Sequence, residues 1–217
     1  AEPSPLSHEI LNANPYAFLD DAPLEERRAR AVELRRSLPI EDRGLGSLDE
    51  DSVRAVAEEV WPVVRDKEEL HDALLTLILM PPNREWTAWF DQLFQDARAI
   101  RFFVSGKIFW LATERIRIAQ QVHPHGVTEP SVVPDVEQPI PNGEESAVAE
   151  VLRGWIESSG PIKASAIASL LSVELERIGI GLARLETEGQ VLRGRYTSTL
   201  LSSDDDIEWC SRRVLAR

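Results

Sequence analysis

The feature that most constrains this chain is a proline-rich stretch, residues 122–143, which reads VHPHGVTEPSVVPDVEQPIPNG. It holds five prolines (Pro124, Pro130, Pro134, Pro139, Pro141) and no Lys or Arg. Proline fixes φ and has no amide donor, so neither a helix nor a central strand is expected there. The stretch predicts an extended connector that lies along a neighbouring surface through its valines. Packed structure must then form in blocks around it. These are a helical accessory segment at 1–47, a first module at 48–121, the connector at 122–143 and a second module at 144–217.

Periodicity fills in the blocks. In the accessory segment, Asp20 or Asp21 caps a helix over 24–38 that Pro39 stops. In the first module, acids open a helix near residue 48, and Val53, Val56, Ala57, Val60 and Trp61 form an amphipathic stripe. A second helix is predicted over 66–80 and a third over 85–95, separated by Pro81-Pro82-Asn83. Strands 99–104 and 107–112 flank Ser105-Gly106, a two-residue hairpin signal, and a helix over 113–121 closes the module. The second module predicts a helix over 145–158, a short strand near Ile162 and a helix over 164–171. Ser172 then caps a helix that runs to 188 and stops at Gly189, before a strand over 190–196 and a wing. A last helix is expected to begin at Glu208. The fold class is therefore mainly α with short β-hairpins (α+β), arranged as tandem winged-helix-like modules.

Charge limits what such modules can bind. The net charge is −13, divided as −3 over 1–47, −4 over 48–125, −3 over 126–143 and −3 over 144–217. No block is basic, and phosphate binding needs neutralising cations. Any nucleic-acid contact must come from a local face. The best local face is on the 173–188 helix, where Leu175, Ile178, Leu182 and Leu185 make the core stripe. Arg177 and Arg184 stand seven residues apart, away from it. Arg193 and Arg195 alternate on the following strand. These four arginines are the candidate nucleic-acid contacts. The competing reading is a solvated face, since Glu174, Glu176, Glu186 and Glu188 lie nearby.

The residues needed for chemistry are missing from the places it would occupy. Gly106-Lys107 is a hairpin turn and not a phosphate loop, because Arg101 stands where the first glycine belongs and Ile108 replaces Ser/Thr. Asp49-Glu50-Asp51 reads as acids at a helix start. His123 and His125 lack a third metal ligand at usual spacing, and His71 reads as structural. Cys210 is the single cysteine and has no catalytic partner placed by sequence. Trp86, Trp89 and Phe90 sit at helical spacing, which favours core over base stacking, most strongly for Phe90 and Trp86. No catalytic, metal or cofactor residue is expected. No apolar run of membrane-spanning length occurs, and a cytoplasmic protein is expected. The start lacks both a signal peptide and a Met, so the chain reads as part of a longer one.

Two stretches carry a family resemblance. Pro15-Tyr16-Ala17-Phe18-Leu19-Asp20-Asp21-Ala22-Pro23-Leu24-Glu25-Glu26-Arg27-Arg28 resembles a segment of the large helicase-related (Lhr) family of bacterial ATP-dependent DNA helicases. Glu208-Trp209-Cys210, followed by Arg212-Arg213 and Leu215-Ala216-Arg217, looks like a second. Their order and spacing extend the resemblance over essentially the whole chain. It implies a junction between helicase core and C-terminal extension, in a parent that uses ATP and Mg and acts in DNA repair. On that reading the partners are the rest of the parent chain and DNA, single-stranded or duplex. Self-association is the competing reading, in which the chain is a protein-interaction module.

Overall fold

The structure, a computed structural model, describes residues 50–133, 141–197 and 207–217. The stretch at 15–28, the predicted helix at 24–38 and the tip of the wing lie outside the described residues.

The first half starts with α1 (Glu50–Val60) and α2 (Lys67–Leu77). Asp66 caps α2, its carboxylate accepting from the Glu68 and Glu69 amides at 2.9 Å each. The helix stops at Leu77, short of the expected residue 80, because Ile78 turns to φ 63°. Met80 is thereby freed to pair its backbone with Trp110. Next come α3 (Thr87–Gln95) and the hairpin β1 (Ala99–Val104) and β2 (Lys107–Ala112). Ser105 and Gly106 have φ of 49° and 81°, the two positive values that a type I′ turn demands. A short 3-10 turn (Thr113–Arg115) leads into α4 (Ile116–Val122).

The connector contains a strand after all. β3 (Val127–Glu129) pairs antiparallel with β1, giving sheet order β2-β1-β3. It is a three-residue edge strand that ends against Pro130, where a missing amide costs no ladder bond. Gly126 is required ahead of it, since a Cβ there would lie 2.0 Å from the Phe102 ring.

The second half runs α5 (Glu144–Glu157), β4 (Ile162–Lys163), α6 (Ala164–Leu171), α7 (Leu175–Thr187), β5 (Val191–Gly194), β6 (Glu208–Ser211) and α8 (Arg212–Leu215). Two expectations are corrected here. Ser172 does not cap α7; it ends α6 in the left-handed region at φ 55°, and Glu174 precedes α7. Glu208 does not open a helix; residues Glu208–Ser211 pair with both β4 and β5 in the order β4-β6-β5. The helix starts only after Ser211, whose hydroxyl caps it by accepting from the Arg213 amide at 3.3 Å.

The described part of the chain is α+β, with small antiparallel sheets, and packs as one compact unit. Its core is continuous across both halves, from Leu70 and Phe90 through Leu152 to Leu182 and Val191. Gly154 of α5 shows how closely the halves meet: a Cβ there would stand 1.9 Å from the Thr76 carbonyl oxygen at the end of α2. Trp61 and Trp155 meet at 5.8 Å between ring centroids. No helix of the described residues is long and apolar enough to cross a membrane.

Candidate nucleic-acid interface

The core stripe of α7 is as expected, with Ile178, Leu182 and Leu185 fully buried, but Leu175 is 54% exposed. Arg177 and Arg184 do share a flank, and that flank faces the start of α5. Arg177 donates through Nη2 to the Val122 carbonyl at 2.8 Å, and its Nε lies 2.6 Å from Glu144 Oε1. Arg184 donates through Nη1 to Ser146 Oγ at 2.7 Å and through Nε to Glu188 Oε1 at 3.0 Å. The Arg184 hydrogen bond holds the Glu188 carboxyl below the usual carboxylate range, and Arg153 adds to the effect. Both arginines are thus engaged in joining elements of the fold.

The other two candidates differ. The Arg193 side chain is 63% exposed, with Nε 3.2 Å from Glu186 Oε1. Such an exposed pair contributes under about 1 kcal/mol and gives way readily to a competing anion. Arg195 is exposed and pairs with none of the described residues. Just beyond it, Glu208 is only 4% exposed and grips the chain where it leaves β5. Its Oε2 accepts from the Tyr196 and Thr197 amides at 2.7 and 2.9 Å, and its Oε1 accepts from the Thr197 hydroxyl. Tyr196 folds back to donate its hydroxyl to the Leu192 carbonyl at 3.2 Å. Glu208 thus fixes the backbone at Tyr196 and Thr197, and Arg195 stands exposed immediately before it.

The remaining chemical candidates take structural places. Lys107 of the hairpin turn donates to the Ser169 carbonyl, tying β2 to α6. Asp51 pairs with Arg54 at 3.0 Å in the first turn of α1. His123 is buried, with Nε2 donating to the Leu171 carbonyl at 3.0 Å, whereas His125 is exposed. Burial pushes the His123 pKa down, and the Arg177 charge pushes the same way. His71 is also buried, 3.3 Å from Glu114 Oε2. No group of three potential metal ligands occurs among the described residues. Burial raises the Cys210 thiol pKa to about 11, with the Glu208 charge adding to it. Trp86 and Phe90 are in the core, Phe90 stacked on Trp110 at 4.1 Å, while Trp89 is half-buried.

No family model matches the chain. It is similar to a helicase protein. Over 237 positions, covering 99% of its length, it is 26% identical to the "Lhr helicase/ probable uracil glycosylase" of Mycolicibacterium smegmatis. The chain spans only 15% of that protein's length. The likeness supports a relationship to helicase-related, DNA-associated proteins.

Sequence reading missed two features of this region, the Glu208 grip and the exposure of Arg212 and Arg213. No sequence signal announces the first, because Glu208–Ser211 is four residues long and becomes a strand only by pairing with its neighbours.

Proposed function

We propose that this chain is a non-catalytic accessory module of an Lhr-type ATP-dependent DNA helicase, positioned between its motor and C-terminal extension. The observation that carries the reading is similarity along 99% of the chain to a helicase of which it covers 15%. Such a piece is expected to support an activity that lies elsewhere in the parent, including ATP and Mg chemistry. The order of helix, strand, helix, helix, strand, strand and the β4-β6-β5 sheet of the second half support the reading, being the order expected of a winged-helix module. In such a module α7 would serve as the recognition helix, with Arg193 and Arg195 on the strand that follows it. The nucleic-acid contact is proposed on Arg193 and Arg195, with Arg177 and Arg184 acting mainly to set α7 against α5.

Fluorescence anisotropy of a labelled single-stranded oligonucleotide, titrated with the chain across salt concentrations, tests this. Binding whose log affinity falls with log salt by at least about 1.4, the slope for two phosphates neutralised on a single strand, is the expected result. Absence of binding at low salt removes the nucleic-acid role.

A protein-interaction module is the second reading. Val127 and Val132 favour it, being 63% and 84% exposed on the connector. Light scattering at high concentration separates the two, because a strictly monomeric chain without affinity for the helicase core counts against this one.

A further inference from the structure

Among the described residues, nearly every cationic side chain is engaged. Arg54, Arg65, Lys67, Arg98, Arg101, Arg153 and Arg217 all form ion pairs. Arg115 donates to the Leu75 carbonyl. Four are exceptions, and three of them, Arg195, Arg212 and Arg213, are exposed, have no guanidinium partner among the described residues and lie on adjoining segments. Arg84 is the other cation in that condition, on a separate turn after α2.

The adjoining segments are fixed to one another. The Arg212 amide donates to the Gln190 carbonyl at 3.0 Å, which fastens the start of α8 to the start of β5. Along the paired strands Val191 faces Ser211 and Arg193 faces Trp209. Arg195, Arg193 and Arg212 therefore succeed one another along the ladder, Arg195 just past its Gly194–Glu208 end, Arg193 within it and Arg212 just past its Val191–Ser211 end, with Arg213 following.

We propose that Arg212 and Arg213 extend the contact surface of Arg193 and Arg195 into one arginine strip, and that the strip takes the sugar-phosphate backbone of a single nucleic-acid strand. Arginine suits this ligand because its planar fork binds phosphate oxygens in pairs. The inference rests on the nucleic-acid reading above and adds two residues that it does not require.

The experiment measures anisotropy of a labelled single-stranded oligonucleotide with the full 217-residue chain, as wild type, R193E/R195E and R212E/R213E. The expected result is that R212E/R213E binds about tenfold more weakly at low salt, with a salt slope shallower by about 1.4 and an unchanged melting temperature. R212Q/R213Q provides the same test without charge reversal if the first variant folds poorly. Wild-type affinity in R212E/R213E, together with weakened binding in R193E/R195E, overturns the extended strip and leaves the nucleic-acid reading standing. No binding by the wild type overturns both.

Discussion

Arg177 and Val122 are separated by 55 residues in sequence, yet the guanidinium of one donates to the backbone carbonyl of the other at 2.8 Å. Val122 ends α4, and its carbonyl has no partner within that helix. Arg177 supplies one, and through Glu144 it also ties down the start of α5. Next to this bond His123 donates to Leu171, so the end of α4 is fastened to the second half at two consecutive residues.

Arg177→Ala should therefore act on stability. The loss leaves a helix-end carbonyl without its charged donor, a cost of about 1–3 kcal/mol. For a chain of this size the melting temperature should drop by several degrees, about 2–4 °C per kcal/mol. Calorimetry of Arg177→Ala beside Arg195→Ala checks the assignment. Equal melting temperatures for the two variants contradict it.

Gly154→Ala should be more severe. A methyl group at 1.9 Å from the Thr76 oxygen forces α5 away from α2. Overpacking of this kind typically costs about 1–3 kcal/mol, and more where backbone must move. Urea denaturation should show a lower midpoint in Gly154→Ala and near wild-type behaviour in Gly179→Ala, where a Cβ would meet nothing.

The pH dependence has a definite sign. Burial depresses the His123 pKa, so the folded state favours the neutral ring. The stabilisation is present above the unfolded pKa and is lost as pH falls below it, through the lower folded value. Unfolding free energy of the wild type should therefore fall more steeply than that of His123→Gln between about pH 7 and pH 5. Parallel curves would mean that the ring titrates as it does in the unfolded chain.

Cys210 should resist modification. With its thiol pKa raised to about 11 and its side chain buried, almost no thiolate exists at pH 8. A disulfide reagent should label it only after denaturant is added. Rapid labelling of the folded chain would contradict this environment.

Much of the fold was legible where the determinants are local. The Ser105-Gly106 turn set both strands of the first hairpin to the residue, because a two-residue turn imposes its own register. Gly189 ended α7 through its own positive φ of 73°. The failures were non-local. Ser172 looks like an N-cap in sequence, but its backbone amide bonds back to Ala168 and closes the preceding helix. Glu208–Ser211 is too short to announce a strand, and only pairing with Val191–Gly194 and Ile162–Lys163 makes it one. The candidate site divided in the same way. Helical spacing placed Arg177 and Arg184 on one flank, and only the packing of α5 against α7 shows what that flank meets.

Arg177 and Arg184 join elements of the fold, whereas Arg193 and Arg195 are proposed to meet a ligand, and one paired comparison tests that separation directly. Melting temperature and single-strand DNA affinity are measured for Arg177→Ala/Arg184→Ala and for Arg193→Ala/Arg195→Ala, at a temperature where both remain folded. The account predicts a lowered melting temperature with near wild-type affinity for the first pair, and weakened affinity at unchanged melting temperature for the second. Loss of affinity confined to the first pair would contradict it.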